Sequence, residues 1–153
     1  MPTHFQGDPK TVLALDTFIK FNRAASALEN RLLRHNVIGK ITLSQFGVLE
    51  TLYHLGPLCQ GAISAKLLKS SGNITLVLDN LERRGLVQRT RDTTDRRMVI
   101  LSLTPLGEEL IAHLFPLQAA VIADEFSALT PEEQEQLGRL CKKLGKGSPQ
   151  SSQ

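Results

Sequence analysis

The apolar positions of this chain fall into six runs with helical spacing and one short region of alternation. In the longest run, Val12, Leu13, Leu15, Phe18, Ile19, Ala25, Leu28, Leu32 and Leu33 predict a helix from Asp8-Pro9 to about His35. Asp8 is its expected N-cap, Pro9 its first helical residue, and Asn36 and Gly39 its stop signals. The apolar arc is broad, so this helix is expected to touch more than one neighbour. Thr42-Leu43-Ser44-Gln45 is a capping-box pattern. It opens a second helix with Phe46, Leu49, Leu52 and Tyr53 inward, ended by Gly56-Pro57. A short third helix is expected from about Gln60 to Lys69, with Ile63, Leu67 and Leu68 inward. Ser70-Ser71-Gly72 then turns the chain into a fourth helix. Two short helices joined by a tight, glycine-containing turn match a helix-turn-helix.

The alternating region follows Gly85, which is the expected left-handed stop of the fourth helix. Leu86 and Val87 return to the core, and residues 87–91 and 98–103 predict the strands of a hairpin around Asp92-Thr93-Thr94-Asp95. Alternation alone does not assign the faces of Arg89 and Arg91, because one bulge would exchange them. Thr104-Pro105 repeats the cap-plus-proline start. The helix it opens runs from Leu106 to Phe126, with Pro116 expected to kink it. Thr130-Pro131-Glu132-Glu133 caps a last helix through Leu137, Leu140 and Leu144, closed by Gly145. Residues 1–7 are expected to be loose and 146–153 a disordered tail. The fold class is mainly α with a small β-wing (α+β), in a single domain spanning 1–153.

Composition narrows the reading. An apolar share of 41% in 153 residues suits one domain with a real core. The net charge of +3 decides little, but its distribution is uneven. Residues 66–97 carry eight Lys/Arg against four acids, whereas 104–153 carry four bases against seven acids. A clustered basic face is the footprint of a nucleic-acid binder; a solvated charged surface is the plainer alternative. Cys59 and Cys141 form no CxxC pair and have no close His, so neither metal nor cofactor is expected. No apolar run approaches the roughly 18 residues that span a bilayer, and the N-terminal segment lacks an apolar signal core. The expected location is a reducing cytoplasm, with free thiols and no membrane partner. An enzyme would need a nucleophile beside a base, paired carboxylates or a metal cluster. Two unrelated cysteines and four scattered histidines supply none of these.

The fourth helix carries the most specific signal. Ile74, Val77, Leu78 and Leu81 cluster on one face, which should pack on the second and third helices. Gly72, Leu76, Asp79, Asn80 and Arg83 lie opposite. Arg pairs with guanine, Asn with adenine, and an apolar group meets the thymine methyl. Leu76, Asn80 and Arg83 are therefore candidate base readers, although a singly exposed leucine is common. Asp79 and Arg83, four apart, have the spacing of an ion pair. Ser70, Ser71, Asn73 and Thr75 lie near the helix N-terminus, where hydroxyls and backbone N–H groups suit phosphate. In the hairpin, Arg91, Arg96 and Arg97 suit a narrow, electronegative minor groove, with Asp95 orienting Arg97.

These residues together resemble the MarR (multiple antibiotic resistance regulator) family of bacterial transcription factors. The likeness rests on L-S-Q-F-x-V-L at 43–49, L-D-N-L-E-R-R-G-L-V at 78–87 and D-R-R-x-V-x-L-x-L-T-x-x-G at 95–107. It implies a winged helix-turn-helix lobe at 40–103, flanked by dimerisation helices at 8–38 and 104–145. It implies a homodimer on double-stranded DNA at a near-palindromic operator, repressing nearby genes. A small, often anionic aromatic effector or an oxidant would release it; the sequence names no effector-binding residue. The resemblance puts the recognition helix at 72–84 and the wing Asp and Arg at Asp95 and Arg97. A dimer also follows physically, since three long amphipathic segments exceed what a 50-residue lobe covers. Two alternatives stand beside this reading: a winged-helix dimer that binds protein, with Leu76 as its contact, and a redox sensor acting through Cys59 or Cys141. The family's oxidant sensors carry their cysteine in the first helix, which here has none.

Overall fold

The computed structural model describes residues 2–67 and 71–148. Its elements run α1 (Pro9–His35), α2 (Leu43–Leu55), β1 (Leu58–Cys59), α3 (Gln60–Leu67), α4 (Ser71–Arg83), β2 (Val87–Arg91), β3 (Val99–Leu103), α5 (Pro105–Phe126) and α6 (Pro131–Lys146). They form two compact units, residues 29–119 and residues 1–28 with 120–153.

The central unit is organised by α2, α3, α4 and a three-stranded antiparallel sheet of order β1-β3-β2. Its core joins Ile38, Ile41, Phe46, Val48, Leu49, Leu52, Ile63, Ile74, Leu78, Leu81, Leu86, Val87, Leu101, Ile111 and Leu114. Caps fix where its helices begin. The Thr42 hydroxyl accepts from the Gln45 amide while the Gln45 side chain accepts from the Thr42 amide, closing the expected capping box. Gly56 at φ 77° and Gly85 at φ 71° end α2 and α4 in the left-handed region that glycine adopts without strain. The first turn of α5 docks on the second of these turns. The Thr104 amide donates to Leu86 O (3.1 Å) and its hydroxyl to Gly85 O (2.6 Å), while the Gly107 amide caps on the same hydroxyl (3.0 Å).

In the other unit, the Asp8 carboxylate caps α1 by accepting from the Thr11 amide (3.0 Å). Hydrogen bonding to Thr11 holds this carboxyl below its ordinary pKa. The Thr3 amide bonds to the Asp16 carboxylate, so the segment expected to be loose is tied to α1. α6 opens with a second capping box between Thr130 and Glu133. Neither α1 nor α6 has a buried residue, although Leu13, Phe18, Leu137, Leu140 and Leu144 lie on them.

Several expectations shift. The hairpin gains a third strand, because Leu58 and Cys59 pair with Leu101 and Ile100; two residues are too few to leave a periodic signal. Cys59 is thus the end of β1, and α3 begins after it. α3 is described as far as Leu67, the expected Leu68 and Lys69 lie outside the described residues, and Ser71 and Gly72 belong to the first turn of α4 rather than to a turn before it. Tyr53 is exposed while Val48 is buried, so the inward face of α2 is rotated from the expected stripe. The ring of His54 takes Tyr53 and Phe115 edge-on instead. α5 continues through Pro116 from Pro105 to Phe126; a proline inside a helix costs one ladder bond and crowds the carbonyl four residues back, which bends a helix without having to end it. α6 runs past Gly145 to Lys146 and is capped at Gly147; of the expected tail, 149–153 lie outside the described residues. α5 is long and apolar enough to cross a membrane by length and composition, although no single apolar run is; its Ile111 and Leu114 belong to the core of the central unit.

Candidate nucleic-acid interface

The candidate site is built on α4 and the hairpin. Helix α4 is strongly two-faced. Ile74, Leu78 and Leu81 are fully buried and Val77 is half-buried, which anchors the helix against α2 and α3. The opposite face is open. Leu76 is 70% exposed, Arg83 and Asn73 are exposed, and Asn80 and Thr75 are half-buried. Leu76 has an apolar side chain in water with no packing role, on a helix whose inward face is already filled. Thr75 Oγ1 accepts from Gln60 Nε2 (2.8 Å), a cross-link between the two helices of the helix-turn-helix. Of the residues expected near phosphate, Ser71 lies in the first turn of α4 and Ser70 lies outside the described residues.

The hairpin keeps an unbroken register: Val87 faces Leu103, Arg89 faces Leu101 and Arg91 faces Val99. With no bulge, Val87 and Arg89 share the inward side while Gln88 and Thr90 point to solvent. The tip is held by its own bonds. The Asp92 amide donates to Met98 O and the Met98 amide to Asp95 O, both at 3.0 Å. Arg91 Nη1 donates to Arg96 O (2.8 Å). Asp95 Oδ1 accepts from both the amide (3.1 Å) and Nε (3.3 Å) of Arg97. The Arg97 side chain is 93% exposed, so its carboxylate partner aims it without enclosing it. In water this pair contributes little stability, and its effect is orientation.

The structure thus brings Leu76, Asn80 and Arg83 onto one exposed helix face, and Arg91, Asp95, Arg96 and Arg97 onto one ordered hairpin of the same unit. One expected contact is replaced. Asp79 pairs with Arg89 of β2 (2.7 Å) rather than with Arg83, because the inward face of the strand puts the arginine against that flank of α4. Sequence reading missed Arg89; only the register, which alternation leaves open, would have found it. Cys59 is half-buried in the sheet, Cys141 is exposed on α6, and both are free thiols. Among the described residues no cluster of three or more His, Cys, Asp or Glu is arranged to hold a metal.

Comparison with known proteins converges on one group. The MarR family profile matches residues 41–99. The uncharacterized HTH-type transcriptional regulator YkoM of Bacillus subtilis (strain 168) is 39% identical over 132 residues, covering 86% of either chain. The HTH-type transcriptional regulator MhqR of the same organism is 34% identical over 140 residues, or 92% of this chain and 97% of that one. The crystal structure of a mutant MarR from E. coli complexed with operator DNA is similar at a TM-score of 0.72 and 26% identity, covering 84% of this chain and 95% of the other.

Proposed function

This chain belongs to the MarR family and is a winged-helix DNA-binding transcriptional regulator, and from that premise we propose that it acts as a homodimeric repressor of nearby genes. Each protomer sets α4 in a major groove, with Leu76, Asn80 and Arg83 toward the bases and Asn73 and Thr75 toward phosphate. The wing places Arg91, Arg96 and Arg97 along the adjacent minor groove. The single observation that carries this is the face of α4: a 70% exposed Leu76 beside Asn80 and Arg83, backed by a fully buried inner face. Protein binding through Leu76 is less favoured, because that leucine stands in the most basic third of the chain.

The dimer is supported by the unburied faces of α1 and α6. Leu137, Leu140 and Leu144 form one stripe at i, i+3 and i+7, and Leu13 on α1 is 68% exposed. Covering such faces with a second copy removes apolar surface from water at roughly 25 cal/mol per Å². A two-fold dimer then reads a near-palindrome with half-site centres about 10 bp apart. The protein works where the DNA is, in the cytoplasm. A small anionic or aromatic effector weakens binding. A groove of about 450 Å³ lined by Glu29, Leu33, Gly39, Lys40, Ile41, Thr42, Leu43 and Ser44 offers an apolar wall and one cation for such a ligand. Footprinting of the DNA upstream of its own gene at low salt tests the reading; protection of a palindrome is expected, and no protected site would end it.

A further inference from the structure

Arg89 lies on the wing strand yet points away from solvent. It shares the inward side of β2 with Val87, opposite the fully buried Leu101. Instead of entering the core, its guanidinium turns to α4. Nη2 lies 2.7 Å from Asp79 Oδ1 and Nη1 lies 3.5 Å from Glu82 Oε2. One arginine therefore holds both acids of the recognition helix, three residues apart on one flank. Its side chain is only 23% exposed, so solvent and salt screen these contacts less than those of a surface pair.

Two consequences bear on reading DNA. Carboxylates on a helix entering a groove repel phosphate, and Arg89 neutralises both that α4 carries. Asp79 also stands four residues before Arg83, the spacing at which it would capture that arginine. With Asp79 held by Arg89, Arg83 makes no ion pair among the described residues and its fork is open to a base edge. The same contact ties the strand that leads to Arg97 directly to the helix that carries Arg83, fixing the wing against the reading head.

We propose that Arg89 is a positioning residue for operator recognition: it sequesters Asp79 and Glu82, keeps Arg83 free, and locks the wing to α4, without touching DNA itself. The proposal rests on the DNA-binding reading. Its test therefore starts with a duplex that the wild-type protein selects from a random library; enrichment of no duplex would sink the DNA-binding reading itself. Affinities of variants for that duplex and for poly(dI-dC) are then measured between about 50 and 200 mM salt. Arg89→Ala is expected to lose about tenfold or more on the selected duplex and clearly less on poly(dI-dC), where only the repulsion of phosphate by the freed acids acts, with the salt slope changed by much less than about 0.9. Adding Asp79→Asn and Glu82→Gln to Arg89→Ala should recover part of that loss, because the acids set free are then gone. Arg89→Lys keeps the charge but not the fork, gives an intermediate loss, and serves alone if Arg89→Ala does not fold. A salt slope shallower by about 0.9 would make Arg89 a phosphate contact and overturn the proposal. So would an equal loss on both DNAs, or no recovery on removing the acids.

Discussion

The contact between α5 and the turn after α4 makes Gly107→Ala the most informative single substitution for the fold. Gly107 is buried, and a Cβ there would stand 1.9 Å from Leu86 O and 2.9 Å from its carbonyl carbon. Ordinary contact begins near 3.4 Å, so the two backbones must part by about 1.5 Å, far beyond what a rotamer change absorbs. Parting them strains overpacked backbone, at about 1–3 kcal/mol, and loosens two hydrogen bonds from Thr104 worth about 1 kcal/mol each. The better helix propensity of alanine returns about 1 kcal/mol. The net cost is about 2–4 kcal/mol, which for a chain of this size lowers Tm by roughly 5–15 °C. Thermal unfolding at one fixed protein concentration measures it, since a dimer's Tm depends on concentration. Gly61→Ala is the control. It lies in α3 with nothing within 4 Å of the added Cβ, so it should be neutral or stabilise by up to about 1 kcal/mol. A Gly107→Ala protein as stable as its parent would refute the packing argument, and with it the account of how α5 is fixed to the reading head.

Arg97→Ala should weaken binding on all DNA sequences and make the log–log salt slope shallower by about 0.9, measured by titration across salt; an unchanged slope removes the wing tip from the contact. Leu81→Ala, in a fully buried position on the inward face of α4, should cost about 2–5 kcal/mol in denaturant unfolding, whereas Leu76→Ala on the open face should change stability little and operator affinity substantially. Leu140→Glu with Leu144→Glu places charge in the unburied stripe of α6. Light scattering should then show the 16.9 kDa monomer where the parent shows about twice that mass. A parent that is monomeric at micromolar concentration would contradict the dimer.

Much of the reading head was legible because local signals fix it. Thr42 and Gln45 name the start of α2, Asp8-Pro9 that of α1, and Thr130 with Glu133 that of α6, since each cap is a bond made within one turn. The apolar stripe of Ile74, Leu78 and Leu81 marks which face of α4 is buried and hence that Leu76, Asn80 and Arg83 are open. Asp95 and Arg97 lie two residues apart, so their pairing too is a short-range matter. Elements without a period were not legible: β1 is two residues long, and Ile38 and Ile41 enter the core from a loop.

The sequence by itself determined the helices, their caps, the basic hairpin and the face of α4 turned outward, because periodicity and capping act over three or four residues. Tertiary structure alone decided which acid meets which arginine. Asp79 has a partner four residues away in sequence and takes instead one ten residues on, because the register of β2 with β3 turns Arg89 inward and the turn at Gly85 lays that strand against α4. Helical spacing made Arg83 an available partner for Asp79; strand register supplied Arg89, and so left Arg83 free.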